Sequence, residues 1–292
     1  MDPKSEAVSK ITVPAILERK LRGEKITCLT AYDYPTARLV DEAGVDVLLV
    51  GDSLAQVVLG YDSTVPVNSD EMLHHLRAVR RAVRRALLVA DLPYGSYHVG
   101  ERDALRTSLR FVKQGGAEAI KIEGGKKRAR LVRRMVNAEI PVMGHIGLTP
   151  QSVNRMGGYS VQGRTLESAN ELFADAQALE DAGVFALVLE AVPRELAAMI
   201  TRRLRIPTIG IGAGPDCDGQ VLVFHDLVGL AFQPPAKFVR PYAQLRQMLH
   251  ESISRFREDV VQGRYPGDEE SYHCPQALLE QFEREYFGQP RV

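Results

Sequence analysis

Residues 45–53 read VDVLLVGDS: a short run of Val and Leu that ends on Asp52 and Ser53. Its apolar residues are continuous and do not alternate strictly with polar ones, which is the pattern of a strand covered on both faces. Four more runs have the same form. They are ALLVADLP at 86–93, ending on Asp91; AIKIEGG at 119–125, carrying Lys121 and Glu123; VMGHIG at 142–147, carrying His145; and ALVLEAVP at 186–193, ending on Glu190. Helical stretches separate them. Parallel sheets in α/β enzymes place their chemistry at the carboxyl ends of the strands, which is where these polar residues fall.

Outward from these runs the alternation persists. A helix over 13–22, closed by Gly23, precedes the strand KITCLTAYD, which ends at Asp33. YPTARLVDEAG reads as a helix with Gly44 at its C-terminal end, and Ser69 as the N-cap of DEMLHHLRAVRRAV. Two long loops, LAQVVLGYDSTVPVN and TPQSVNRMGGYSVQGRT, carry Gly and Pro and predict irregular structure. PTIGIGAG and QVLVFHDLVGL are the last strand candidates, and a charged helix from about Pro241 to Gln262 is expected to close the core. About eight strand–helix units result, which favours a (β/α)8 TIM barrel of the α/β class over a doubly wound open sheet. The expected organisation is a helical segment at 1–24, one barrel domain at 25–262 and a polar tail at 263–292.

Composition narrows the function classes. The 292 residues are 45% hydrophobic, enough for a large core. Lys+Arg and Asp+Glu are each 37, so no net field draws nucleic acid or an anionic membrane. The local basic stretch RAVRRAVRRAL from Arg77 reads as the solvated face of a helix. Cys28, Cys217 and Cys274 are too dispersed for a zinc site or a disulfide framework and suit reduced thiols in a cytosolic enzyme. The N-terminus has no apolar signal-peptide core, and no window is long enough to span a bilayer, so a cytoplasmic protein is expected.

Asp52 and Asp91 each follow an apolar run. Alone, either reads as a turn cap. Brought together on one rim with Glu123, they would repel unless a proton or a cation intervened, and an all-oxygen set favours Mg²⁺. Lys121 and Glu123 are two apart on one strand and so share a face, which allows either a structural ion pair or an anion-binding role at the barrel mouth. Glu190, among apolar neighbours, is expected to have its pKa raised by desolvation and to serve as a proton acceptor, with a hydrogen-bonded structural Glu as the alternative. His145 carries no assigned proton-transfer role. GIGAGPDCDGQ from Gly210 matches neither a Walker A loop nor a dinucleotide fingerprint.

In series, the motifs resemble a known family. LTAYDYPTARLVDEAGVDVLLVGDS, GYDSTVPV, LLVADLPYGSY, IKIEGG, GHIGLTPQSVNRMGGYSVQGR, LVLEAVP and IPTIGIGAG followed by DGQVLVFHDLVGL occur in the order found in the ketopantoate hydroxymethyltransferases. The resemblance spans about Lys10 to Leu245. It departs from the common pattern at Ala55, Gln56, Tyr94 and Cys217, none of which carries the assigned chemistry. The resemblance implies a (β/α)8 barrel that uses Mg²⁺. It also implies transfer of a one-carbon unit from 5,10-methylenetetrahydrofolate to 3-methyl-2-oxobutanoate through a Mg²⁺-stabilised enolate, giving 2-dehydropantoate on the route to pantothenate and coenzyme A.

Carried over by motif, Asp52 is a metal ligand lying against the substrate, and Ser53 contacts the substrate carboxylate. Asp91 touches metal and substrate, and Lys121 lies at the substrate. Glu123 is at the metal or one of its waters, and Glu190 is the proton acceptor. The resemblance further implies a homo-oligomer, often a decamer. The nearest rival is a Mg²⁺-dependent carbon–carbon lyase of the isocitrate lyase and phosphoenolpyruvate mutase type, whose reactive Cys motif is not legible here.

Overall fold

Strand β2 (Val47–Val50) is buried at every position, as a strand enclosed on both faces must be. The computed structural model describes residues 9–158 and 160–288. Residues 1–8 of the N-terminus, Tyr159 of the GGYSVQGR motif and residues 289–292 lie outside the described residues. Seven further strands complete the sheet: β1 (Ile26–Thr30), β3 (Leu87–Asp91), β4 (Ala119–Glu123), β5 (Val142–Gly147), β6 (Ala186–Glu190), β7 (Thr208–Ile211) and β8 (Gly219–Leu222). They form a closed barrel in chain order, with every neighbouring pair parallel and β8 returning to β1. The (β/α)8 architecture expected from the run pattern is the one observed.

Side-chain alternation sorts each strand between two cores. Val47 and Leu49 of β2 join Leu87, Val89, Ala119, Met143, Val188 and Ile209 inside the barrel. Leu48 and Val50 point outward into the layer between strands and helices. On β4, Ala119 faces inward and Ile120 and Ile122 outward, so period-2 geometry sends Lys121 and Glu123 inward as well. The N-terminal end is plugged by Ile16, fully buried against the interior cluster. Its helix, Val13–Arg22, is held by Thr12, whose hydroxyl accepts from Ala15 N–H, and by Gly23 in the left-handed region.

Some local details differ from the sequence expectation. Asn68, not Ser69, caps the helix Ser69–Ala82, because its side chain accepts from Asp70 and Glu71 N–H while Glu71 closes a capping box. QVLVFHDLVGL contributes only its first three residues to β8 and then turns into a helix, Phe224–Leu227. The two long loops contain short helical turns, Leu54–Val57 in the first and Pro150–Ser152 with Val153–Met156 in the second. Asp33 lies just beyond β1, as the N-cap of Tyr34–Glu42.

The chain divides into two compact units, Met1–Ala243 and Gln244–Val292. The first contains the barrel. The second contains the helices Leu245–Val261 and Gln276–Tyr286, neither of which buries a residue. Among the described residues no helix is long and apolar enough to cross a membrane, and the three cysteines are free.

Candidate active site

Strand register explains how the charged side chains meet. Asp91 ends β3 opposite Lys121 of β4, and Glu123 of β4 lies opposite His145 of β5. Glu190, the last residue of β6, lies opposite Gly147 of β5. Asp52 follows β2 by two residues. One cavity of about 1130 Å³ is lined by Asp52, Ser53, Asp91, Lys121, Glu123 and Glu190, with His145 beside them. All six residues singled out from the sequence therefore converge at the carboxyl ends of the strands.

Asp91 and Lys121 form the tightest pair. The Lys121 ammonium donates to both Asp91 oxygens, at 2.8 and 2.7 Å, and both side chains are buried. Burial alone would drive the lysine to lose its proton, yet Asp91, Glu123 and Asp52 together raise its pKa above the ordinary value. Burial raises the Asp91 carboxyl, opposed by Lys121.

Asp52 is the uncompensated member. It is 4% exposed. Its backbone N–H donates to Asp91 Oδ2 at 3.4 Å and its Oδ2 accepts from Gln151 Nε2 at 2.9 Å. Burial, then repulsion from Asp91 and Glu123, pushes its pKa well above the usual carboxylate range. Beside it, Ser53 Oγ and the Tyr32 hydroxyl share a hydrogen bond of 2.7 Å.

Glu123 has one satisfied oxygen and one open. Oε2 accepts from Gln151 N–H at 3.1 Å, while Oε1 is buried without a hydrogen-bond partner among the described residues. Burial raises its pKa, but His145 and Lys121 carry it below the ordinary value. His145 stands between two carboxylates, with Nδ1 3.4 Å from Glu123 and Nε2 3.2 Å from Glu190. Neither approach is aligned as a hydrogen bond, so the contacts are ionic. Burial and Lys121 lower the imidazole, and the two carboxylates outweigh them, raising it to about 9.

Glu190 departs from the expected environment. Its side chain is 14% exposed and faces His145, so it is not enclosed by apolar groups alone. Gly147 sets its position. A Cβ there would stand 2.2 Å from the Glu190 carbonyl oxygen, which accepts from Leu148 N–H at 2.8 Å. Only glycine admits that approach at a φ of +91°.

Gln151 is the residue that sequence reasoning missed. Its carboxamide N donates to Asp52 and to Leu92 O, both at 2.9 Å, its backbone N–H donates to Glu123, and its Oε1 accepts from the Tyr97 hydroxyl at 2.5 Å. It ties β2, β3 and β4 together from the loop after β5. The motif GHIGLTPQ contains it, but nothing in the spacing shows where the side chain reaches.

A divalent cation suits this donor set. Among the described residues no three or more His, Cys, Asp or Glu side chains form a ready-made ion cage. Two do face a common need: Asp52 and Asp91 are buried together, and the single lysine is spent on Asp91. A carboxylate has about four acceptor sites, so Asp91 can serve Lys121 and a cation at once. Mg²⁺ needs only one or two carboxylates when water and substrate oxygens complete its shell.

A family model described as ketopantoate hydroxymethyltransferase matches residues 10–268. The chain is 63% identical over 275 residues to a 3-methyl-2-oxobutanoate hydroxymethyltransferase of Koribacter versatilis (strain Ellin345), covering 93% of each. It is 53% identical over 273 residues to the protein of that name from Carboxydothermus hydrogenoformans, covering 94% of this chain and 99% of the relative. Solved structures resemble it at lower identity. A phosphonopyruvate hydrolase complexed with oxalate and Mg²⁺ superposes with a TM-score of 0.55 at 13% identity, over 94% of this chain and 96% of that one. A 2,3-dimethylmalate lyase of the phosphoenolpyruvate mutase and isocitrate lyase superfamily gives 0.53 at 16%, over 95% and 98%. At such identity the likeness extends to the barrel alone.

Proposed function

The chain belongs to the ketopantoate hydroxymethyltransferase family, and from that premise we propose how its side chains carry out the reaction. The reaction moves a hydroxymethyl unit from 5,10-methylenetetrahydrofolate to 3-methyl-2-oxobutanoate and yields 2-dehydropantoate. The observation that carries the reading is the gathering of Asp52, Asp91, Lys121, Glu123 and Glu190 around one cavity at the barrel mouth. The lyase alternative has only the shared barrel in its favour.

Asp52 and Asp91 would hold Mg²⁺, with Glu123 reaching the ion or one of its waters through the open Oε1. When bound, the ion supplies positive charge to the keto and carboxylate oxygens of the 2-oxo acid, making the C3 proton more acidic. Ser53 donates to the substrate carboxylate. Lys121 adds charge beside the developing enolate oxygen without moving, because Asp91 fixes its ammonium from two sides. Gln151 holds the Asp52 and Glu123 carboxylates in register.

Glu190 takes the C3 proton. His145, its pKa raised to about 9, stands 3.2 Å from Glu190 and orients that carboxylate. The C3 carbanion then bonds to the methylene carbon as its bonds to the folate nitrogens break. Water provides the hydroxyl group. One proton from that water and the one removed from C3 end on the two folate nitrogens, so atoms and charge balance. The family's homo-oligomeric assembly, often a decamer, belongs to the same reading and is measured by light scattering.

The test is turnover of 3-methyl-2-oxobutanoate and methylenetetrahydrofolate to 2-dehydropantoate, dependent on Mg²⁺. Glu190→Gln is expected to abolish exchange of the C3 hydrogen with deuterated water while Mg²⁺-dependent binding of the acid persists. Exchange at the wild-type rate in that variant would remove Glu190 from the role of base.

A further inference from the structure

The cavity is larger than the 2-oxo acid requires. At about 1130 Å³ it lies just above the usual range of pockets that take drug-sized ligands. A five-carbon acid seated on Asp52 and Asp91 fills a small part of it. Much of the remaining wall is apolar, including Val57, Leu222, Leu230, Pro235 and Phe238. The loop GIGAG, without a role in the chemistry above, sets one side of that wall. A Cβ at Gly212 would stand 2.6 Å from the Phe238 ring, so glycine lets the ring sit directly over the loop.

One charged group interrupts the wall. Asp226, on the short helix after β8, lines the same cavity and is half-buried. No hydrogen bond or ion pair reaches its carboxylate among the described residues, and burial raises its pKa. A carboxylate in a pocket without a partner is a standing cost unless a ligand supplies donors.

We propose that Asp226 and the apolar wall around it hold the pterin ring of the folate co-substrate, with the carboxylate accepting from the ring's 2-amino group and N3–H. This rests on the reaction assigned above. Two adjacent N–H donors on one edge of a planar ring match the two oxygens of a carboxylate, and such charge-assisted pairs are the strong ones. The faces of the ring are apolar and suit Phe238 and Leu222. In the barrel order β8 stands four strands from β4, so a pterin held on the helix after β8 lies across the barrel mouth from Lys121 and leaves the bridging methylene between them.

Calorimetric titration with tetrahydrofolate and with its 2-desamino-2-methyl analogue tests this. The wild-type protein is expected to prefer the 2-amino form by roughly ten- to a hundredfold. Asp226→Asn should weaken tetrahydrofolate by a similar factor and erase the preference. A preference that survives in Asp226→Asn, or its absence in the wild type, overturns the proposal. Folate-independent C3–H exchange of the 2-oxo acid is read in parallel. Retained exchange shows that Asp226→Asn is folded and that the acid site is intact. If the variant lacks exchange, the wild-type comparison of the two folates decides alone. Exchange missing from the wild-type protein counts against the assigned reaction and leaves the binding result to be judged on its own.

Discussion

The two ends of the barrel both hold buried or half-buried carboxylates, and they treat them in opposite ways. At the amino ends of the strands, Asp46 precedes β2, Glu118 precedes β4 and Asp218 precedes β8. Asp46 is 2% exposed and receives Arg19, Arg85, the Thr27 hydroxyl and Thr27 N–H. Glu118 receives Lys10 and Leu88 N–H. Asp218 receives Lys20, Thr208 N–H and the Thr208 hydroxyl. At the carboxyl ends, Lys121 bonds Asp91 alone, Asp52 has only Gln151 on its carboxylate, and Glu123 Oε1 has only the unaligned contact with His145 Nδ1 at 3.4 Å among the described residues. One rim is saturated and ties strands together. The other holds unspent capacity, which is what binding a cation and a substrate requires.

Substitution at the two rims should therefore separate activity from stability. The largest effect is expected from Asp91→Asn. It removes a proposed ligand and frees Lys121 from its two bonds, so kcat/KM should fall by at least about a thousandfold. Apparent Mg²⁺ affinity, read by titrating the metal into chelator-treated protein, should fall with it. Unchanged Mg²⁺ affinity would place the cation elsewhere.

At the opposite rim, Asp46→Asn should cost about 2 kcal/mol of stability. The figure is at the low side for a buried pair because Arg19 and Arg85 each keep about a quarter of their side-chain surface in water and can be rehydrated. Urea unfolding measures it, and kcat of the folded fraction should stay within a few-fold of wild type. A large loss of kcat would mean that the saturated rim is coupled to the site.

The distinction between rims was only partly legible in the chain. The barrel was readable because strands covered on both faces must be continuously apolar, and every position of β2, β3, β4 and β5 is buried. The acidic site residues were readable because several such runs end on a charge, where one alone would read as a turn cap. His145 was not, since its meaning comes from lying opposite Glu123 across the β4–β5 register and 3.2 Å from Glu190. Gln151 and Asp226 were missed for the same reason. Their contacts, or lack of them, are made between segments distant in sequence, and periodicity is blind to that. The Glu190 surroundings differed because an apolar sequence neighbourhood does not determine which side chain arrives from the next strand.

A smaller effect of opposite sign separates the rims further. In the presence of a chelator, Asp52→Asn should stabilise the protein by about 1 kcal/mol, since it removes a buried charge facing Asp91 and Glu123. Saturating Mg²⁺ should narrow or reverse the difference, because only the wild-type protein gains full binding free energy from the ion. Thermal melts of both proteins with and without Mg²⁺ give the four values needed. A destabilised Asp52→Asn under chelator would make this rim as structural as the other.

The smallest effect tests redundancy at the saturated rim. Thr208 Oγ1 bonds Asp218 Oδ2 at 3.2 Å and Thr201 Oγ1 at 2.7 Å. Thr208→Val keeps the shape and removes both contacts, together with the 3.4 Å bond that Asp218 N–H donates to Thr208 Oγ1. Asp218 still has Lys20 at 2.7 Å and Thr208 N–H at 2.8 Å, and the Thr201 hydroxyl still donates to Ala197 O at 2.8 Å. Only the Asp218 N–H loses its acceptor, across a bond already 3.4 Å long, so the loss should be about 1 kcal/mol, the net value of an ordinary hydrogen bond. A loss well above that in urea unfolding would mean that these bonds act as one network, and that the rim's stability lies in its connectivity more than in any single pair.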